Sequence, residues 1–307
     1  MERFIFALIG FAIGILLGIV IVVIYYKRGL SAQQKQLQED VAKAIIKRSI
    51  QNEISSSQVK FSPVLINVAD SRFAMAPISS TFYDNPSERM VVIGVTGTEG
   101  KSSTVSAIYY GLKTAGYKTF LGGNITVSPL TFIDEVTQDT PVVIEFSSWQ
   151  LADLRGRGVL KPHISIITKI VPDHQNWYGN MEDYVKDKRL IYADQDNGDY
   201  SLFDFDGDEP GTGPDQTLYP ETETWGNLFA KESKATVLRY GKNKLDSKTF
   251  GVWQEKGPRN TWVGKILLPR MTKPETILKG LSVPGEHIKT NGLNAALVMY
   301  LMGIPAE

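Results

Sequence analysis

Cysteine is absent from the 307-residue chain, so disulfides, thiolate metal sites and a cysteine nucleophile are all excluded. Histidine is scarce: only His163, His174 and His287 occur, and two of them fall inside motifs described below. An excess of either charge is missing too. Lys+Arg and Asp+Glu both number 33, and a chain without a net basic field is no general nucleic-acid binder. No internal repeat is visible. What is present is ordinary globular composition, with 42% hydrophobic and 21% charged residues, over a length that suits about two domains.

Charge is also missing from residues 4–26. At ~1.5 Å per residue, a helix of that length crosses a ~30 Å hydrocarbon core. The run therefore predicts a single transmembrane helix within residues 1–29, with a cleaved signal peptide or a buried soluble helix as alternatives. Lys27, Arg28, Lys35, Lys43, Lys47 and Arg48 follow the span, against Arg3 alone before it. The positive-inside rule then places the rest of the chain in the cytoplasm, anchored to the inner face of the inner membrane. Gly10, Gly14 and Gly18 share one helix face, which would permit weak self-association of membrane helices. Residues 30–88 read as a juxtamembrane linker and a reduced N-terminal region. Their first part, residues 31–59, is polar with a short amphipathic pattern, and residues 61–86 suggest a strand or two with loops.

From residue 89 to 307 the texture is that of an α/β domain. Apolar runs at residues 91–95, 142–146 and 164–170 predict buried strands, and residues 102–115, 184–194 and 291–302 predict helices. Such alternation implies βαβ units and a mostly parallel sheet flanked by helices. Residues 236–268 add strand-like pieces. Residues 204–224 form an acidic, Gly- and Pro-rich stretch expected as a surface insertion. Its Asp204-Phe-Asp206-Gly-Asp208 run lacks the glycine position of a calcium loop.

Gly94-Val-Thr-Gly97-Thr98-Glu99-Gly100-Lys101-Ser102-Ser103 follows a predicted strand and opens a predicted helix. Glycines let backbone N–H groups turn around phosphate oxygens, and the helix N-terminus favours an anion. Lys101 would reach the β/γ-phosphates and Ser102 would help to hold Mg²⁺. Val95 stands where the usual phosphate-loop spacing wants glycine, so the match is to a variant. The loop alone leaves kinases, other NTPases, transporters and ligases open.

Two further strands end in ionisable groups. Glu145 closes the run 142–144, and Pro172-Asp173-His174 follows the run 164–170. Ligands of parallel sheets gather at carboxyl ends of strands, so these groups share the edge of the phosphate loop. A carboxylate there suits Mg²⁺, which prefers oxygen ligands and substrate phosphates. His174 could join a metal site or hydrogen-bond a phosphate.

Taken in order, the pieces resemble the Mur ligase family. They are Thr96-Gly97-Thr98-Glu99-Gly100-Lys101-Ser102-Ser103, Gly122-Gly123-Asn124-Ile125, Glu145-Phe146-Ser147-Ser148-Trp149-Gln150-Leu151, Pro172-Asp173-His174, Tyr184-Val-Lys-Asp-Lys188 and Gly285-Glu-His287-Ile-Lys-Thr-Asn291. The second and third look most like the members that add D-glutamate, and the run Ser147-Ser148-Trp149-Gln150-Leu151-Ala152-Asp153-Leu154 particularly resembles spirochaete-type versions. The resemblance implies an ATP- and Mg²⁺-dependent amide ligase of peptidoglycan precursor synthesis, joining D-glutamate to UDP-N-acetylmuramoyl-L-alanine through an acyl phosphate. It implies ATP contacts at Thr98, Glu99, Gly100, Lys101, Ser102, Ser103, His287 and Asn291. Catalytic roles fall on Lys101, Glu145, His174 and Lys188, and magnesium would be held by Ser102, Glu145, His174 and Lys188. Lys188 falls where the family carries a carbamylated lysine, although the residue pattern alone makes it one lysine on a solvated helix. Asn124, Ser147 and Gln150 resemble residues near the muramoyl substrate.

Some positions depart from the family. Thr126 replaces a glycine, Lys169 an asparagine, and Ile288 the asparagine after the last histidine. The family's C-terminal domain, which receives the amino acid, is expected to be lacking from this chain. Another amide ligase of the superfamily, a different P-loop NTPase, and a membrane-tethered nucleotide-binding domain without ligase activity therefore stay open.

Overall fold

A computed structural model describes residues 4–9, 20–26, 64–66, 68, 70–125, 127–208, 213–214, 223–258, 261–280 and 285–305. The chain divides into two units, residues 1–85 with 126–136, and residues 86–125 with 137–307.

In the first unit β1 (Phe4–Ile9) pairs antiparallel with β2 (Val20–Tyr26), which pairs in parallel with β3 (Val64–Ile66). The transmembrane helix expected over residues 4–26 is therefore corrected: its described parts are strands. Among the described residues no helix is long and apolar enough to cross a membrane. The reason lies in residue type. Val20, Ile21, Val22, Val23 and Ile24 are β-branched and favour extended backbone. An uncharged run by itself does not separate helix from strand. Gly10, Gly14 and Gly18, the expected linker 31–59, and Thr126 lie outside the described residues. The helix α1 (Ser71–Phe82) stands where only strands and loops were expected. Its start is marked by Asp70, whose side chain accepts a hydrogen bond from the Arg72 N–H at 2.9 Å, a turn of the kind that opens helices.

The second unit is a nine-stranded sheet. Its strands are β4 (Val91–Thr96), β5 (Phe120–Gly123), β6 (Pro141–Glu145), β7 (Ile164–Ile167), β8 (Tyr200–Asp204), β9 (Thr236–Gly241), β10 (Gly251–Lys256), β11 (Trp262–Leu267) and β12 (Glu275–Lys279). The spatial order is β12-β11-β10-β9-β8-β7-β4-β6-β5. All pairings from β5 across to β10 are parallel, and β11 and β12 are added antiparallel. The expected mostly parallel α/β sheet is thus present. Its helices are α2 (Lys101–Thr114), α3 (Ser148–Asp153), α4 (Gln175–Tyr178), α5 (Met181–Lys188), α6 (Trp225–Glu232) and α7 (Glu286–Leu301).

Strand alternation feeds two cores. Ile166 and Leu202 point into a cluster with Val105, Ile108 and Leu112 of α2 and Leu293, Leu297 and Val298 of α7. Their neighbours Ile167 and Phe203 point the other way, to Leu151, Tyr184, Val185, Trp225 and Phe229. Burial on both faces is why β4, β6 and β7 read as nearly continuous apolar runs.

Element boundaries differ from expectation in instructive places. The strand expected over 164–170 ends at Ile167, because the following segment leaves the sheet to hold the phosphate loop. The helix expected from 184 begins at Met181, capped by the Asn180 side chain, and tightens into a 3-10 turn at Arg189–Tyr192. The helix expected from 291 begins at Glu286. Of the expected acidic insertion 204–224, Asp204 is the last residue of β8, and most of the rest lies outside the described residues.

Candidate nucleotide-binding site

β4 lies between β6 and β7. The chain leaves β4 toward β5 and β6 and returns on the other side at β7. Such a reversal opens a crevice beyond the carboxyl ends of the strands. The loop 97–100 sits there, between β4 and α2.

Its path depends on two glycines. Gly97 has φ +136°, and a Cβ there would lie 2.0 Å from Thr168 Oγ1. Gly100 has φ +84°, and a Cβ there would lie 2.6 Å from Asn291 Oδ1. Both positions need a residue without a side chain, for conformation and for space. The loop is then tied down by the segment after β7. Thr98 and Glu99 N–H groups both donate to the Lys169 carbonyl, at 2.8 and 3.3 Å. Thr98 Oγ1 donates to the Val171 carbonyl at 3.1 Å and accepts from its N–H at 3.2 Å. Thr168 N–H donates to the Thr96 carbonyl at 2.8 Å. Gly100 caps α2 without a side-chain hydrogen bond, so no cap side chain occupies the first-turn N–H groups that an anion would use. Glu99, Ser102 and Ser103 face solvent there, whereas Lys101 is half-buried. Lys101 Nζ donates to the Thr98 carbonyl at 2.8 Å. Burial pushes its pKa below the ordinary lysine value, opposed by the charges of Glu145, Asp173 and Glu99.

Glu145, the last residue of β6, is 2% exposed. Ser102 Oγ donates to its Oε2 at 2.7 Å and Asn124 Nδ2 to its Oε1 at 2.9 Å. Phe146 N–H donates to the Val95 carbonyl, and Thr96 Oγ1 to the Phe146 carbonyl, so β6 is stitched to β4 just past the carboxylate.

Lys188 ends α5 and is also only 2% exposed. Its Nζ donates to the Gly97 carbonyl at 2.7 Å and lies 4.4 Å from the centroid of the Tyr184 ring. The solvated-face reading of this lysine is thereby overturned. Burial, and secondarily the Lys101 charge, pushes its pKa down to about 7.

His174 adopts the left-handed conformation at φ 54°, which a residue with a side chain keeps only when its surroundings hold it. Those surroundings are Asp173, whose Oδ2 lies 3.3 Å from His174 Nε2, the Trp149 ring at 4.5 Å and the Tyr184 ring at 6.1 Å.

The structure thus brings Thr98, Gly100, Lys101, Ser102, Asn124, Glu145, Lys188 and Asn291 around one loop, with His174 joined through Tyr184. Ser147 and Gln150 are placed differently. They satisfy each other in a capping box at the N-terminus of α3, where Gln150 N–H donates to Ser147 Oγ and Ser147 N–H to Gln150 Oε1. His287 is exposed in the first turn of α7. Sequence reasoning missed Tyr184, whose hydroxyl bonds Thr98 Oγ1 at 3.0 Å, and Trp149 beside His174. The spacing of Tyr184 and Lys188 by four was the available signal, since it puts both on one helix face. Ser147-x-x-Gln150 was legible as a capping box in the same way.

A helix N-terminus without a side-chain cap, a half-buried lysine and a buried carboxylate thus meet on one sheet edge. The sequence matches the Mur ligase middle domain over residues 95–299, and the chain belongs to the Mur ligase family. Its curated relatives include UDP-N-acetylmuramoylalanine–D-glutamate ligases. That of Treponema pallidum is 50% identical over 158 residues, which are 48% of this chain and 27% of that enzyme. That of Natranaerobius thermophilus is 31% identical over 223 residues, 72% of this chain and 42% of that enzyme. The matched regions thus span well under half the length of these relatives. Among solved structures, a UDP-N-acetylmuramoyl-L-alanyl-D-glutamate–2,6-diaminopimelate ligase superposes with TM-score 0.56 at 12% identity, covering 85% of this chain and 55% of that one. The MurF ligase from Thermotoga maritima in complex with ADP gives TM-score 0.53 at 15% identity, covering 95% and 62%. At such identities these two establish the fold alone.

Proposed function

We propose that this chain is the ATP-using part of a ligase that adds D-glutamate to UDP-N-acetylmuramoyl-L-alanine in the cytoplasm. The observation that carries the reading is the closure of one loop, residues 97–100, by Lys101, by Lys188 and, through Ser102, by Glu145. The choice of D-glutamate follows the names of the relatives just described.

Mg²⁺ suits the residues present. The donors are hard oxygens, the buried Glu145 carboxylate and the Ser102 hydroxyl that bonds it. Among the described residues no three His, Cys, Asp or Glu side chains cluster as a metal site. Glu145 and Ser102 would hold the ion together with phosphate oxygens, as Mg²⁺ commonly requires, and His174 would join it only as the family resemblance implies. When bound, it would neutralise charge between the phosphate and the approaching carboxylate.

The substrate carboxylate would attack the γ-phosphorus, the β–γ bridging bond would break, and ADP would leave with the electron pair. The D-glutamate amine would then attack the acyl carbon, lose a proton and expel inorganic phosphate. Lys101, swinging off the Thr98 carbonyl, would stabilise the transferring phosphoryl group. Lys188, as a neutral amine, would add its lone pair to CO₂, forming a C–N bond, and lose a proton to solvent to become an anionic carbamate. The change from ammonium to carbamate replaces a charge that repels a metal ion with one that supports it. Asn291, against Gly100, lies where it would border the nucleotide.

ADP release from ATP and UDP-N-acetylmuramoyl-L-alanine tests the proposal. It should depend on D-glutamate, and L-lysine, diaminopimelate and L-glutamate should not replace it. Turnover indifferent to any amine would indicate a plain NTPase, and nucleotide binding without turnover a non-ligating domain.

A further inference from the structure

The turn after β5 is built around Glu145. Gly123 ends that strand at φ +97°, and a Cβ on it would stand 2.1 Å from the Glu145 carbonyl oxygen. Only glycine lets the two backbones lie so close. The approach delivers Asn124 to the same residue twice. Its N–H donates to the Glu145 carbonyl at 2.8 Å, and its Nδ2 donates to Oε1 at 2.9 Å. Backbone and side chain of one residue thus grip backbone and side chain of another.

The two donors on the carboxylate are not equivalent. Ser102 belongs to the solvent-facing first turn of α2, and a hydroxyl can rotate to a new acceptor. The Asn124 amide is held by the turn that carries it. It is also neutral, so it directs the carboxylate without cancelling its charge. One oxygen is pinned, and the other faces the phosphate loop with an exchangeable partner. That is how outer neighbours orient metal-binding carboxylates.

We infer that Asn124 is a positioning residue that aims the Glu145 carboxylate at Mg²⁺. The inference rests on the nucleotide reading above and assigns Asn124 a role beyond the one its motif implies.

The test uses the full chain and ADP as the probe. ADP affinity is measured by calorimetry in EDTA and across a Mg²⁺ series, giving a Mg²⁺ midpoint for tight binding. Asn124→Ala should leave affinity in EDTA unchanged and raise the midpoint roughly 10-fold or more, the usual cost of losing an outer neighbour of a metal ligand. A merely structural loss would weaken ADP equally with and without Mg²⁺, and that result overturns the inference. So does a midpoint within twofold of wild type, or weakened UDP-N-acetylmuramoyl-L-alanine binding at an unchanged midpoint. Should Asn124→Ala not fold, Asn124→Ser is read instead, because its hydroxyl is too short to reach Oε1. A wild-type chain that binds no ADP at any Mg²⁺ level sinks the nucleotide reading itself. Wild-type binding with an unaltered variant sinks only the role of Asn124.

Discussion

Lys101 and Lys188 donate to adjacent carbonyls of one loop, Lys101 to Thr98 at 2.8 Å and Lys188 to Gly97 at 2.7 Å. They reach it from different helices, Lys101 from the start of α2 and Lys188 from the end of α5. Two ammonium groups so placed repel each other, and the more buried one gives way. The pKa of Lys188 falls to about 7, burial being the larger cause and Lys101 the second.

The first consequence is a pH dependence of stability. The unfolded chain holds the Lys188 proton up to about 10.5, the folded chain only to about 7. Between those values the unfolded state binds more protons, so stability rises with pH. The penalty of burying the charge is fully present below pH 7 and is relieved as pH climbs toward 10.5. Lys188→Met should therefore melt higher than wild type at pH 6, and that advantage should shrink steadily above pH 7 and vanish only near pH 10.5. Parallel melting curves of the two proteins across this range would contradict the shift.

The second concerns the carbamate. A neutral amine at pH 8 should take up ¹³C-bicarbonate and give a carbonyl resonance that Lys188→Ala lacks. Ligation by Lys188→Ala should fall by two orders of magnitude or more, on the scale of losing an electrostatic contact, ~10²–10³. Added chloride or a small carboxylate should restore part of it. Full activity in that variant, with no response to added anions, would remove Lys188 from the chemistry.

The third concerns Lys101. Lys101→Ala should abolish ligation, with a rate loss of ~10²–10³ or more, and weaken ATP. It should not destabilise the fold much, because the side chain's hydrogen bond is to a half-exposed loop carbonyl. Steady-state rates and ATP titration read both effects; near-normal rates would refute the assignment.

The fourth isolates loop geometry. Gly100→Ala must put a side chain at φ +84° and against Asn291. The left-handed conformation alone costs roughly 1–2 kcal/mol. Urea unfolding should show at least that loss, and ADP affinity should fall with it. Unchanged stability would mean that the loop is not held as described.

Residue periodicity was a good guide to the sheet and a poor one to what hangs on it. The runs at 91–95 and 142–145 fall within strands because parallel strands are buried on both faces, a condition that composition reports directly. The glycine-to-lysine turn was visible for the same reason, since few residues tolerate the conformations at Gly97 and Gly100. Residues 4–26 misled because an uncharged run is silent on helix against strand. Lys188 misled because burial of a lysine depends on Gly97, ninety-one positions away, which no local pattern encodes. Ser147 and Gln150 lie in a motif that suggested a ligand, whereas their side chains close a helix cap on each other. Asn124 carried the least warning, for its link to Glu145 arises only when β5 and β6 lie side by side.

The most direct measurement is a crystal structure of the chain with Mg²⁺ and a non-hydrolysable ATP analogue. The account predicts the triphosphate at the N-terminus of α2, Lys101 Nζ moved from the Thr98 carbonyl to a phosphate oxygen, and the metal against Glu145 and Ser102. A nucleotide bound elsewhere, with Lys101, Glu145 and Ser102 keeping their present partners, would contradict it.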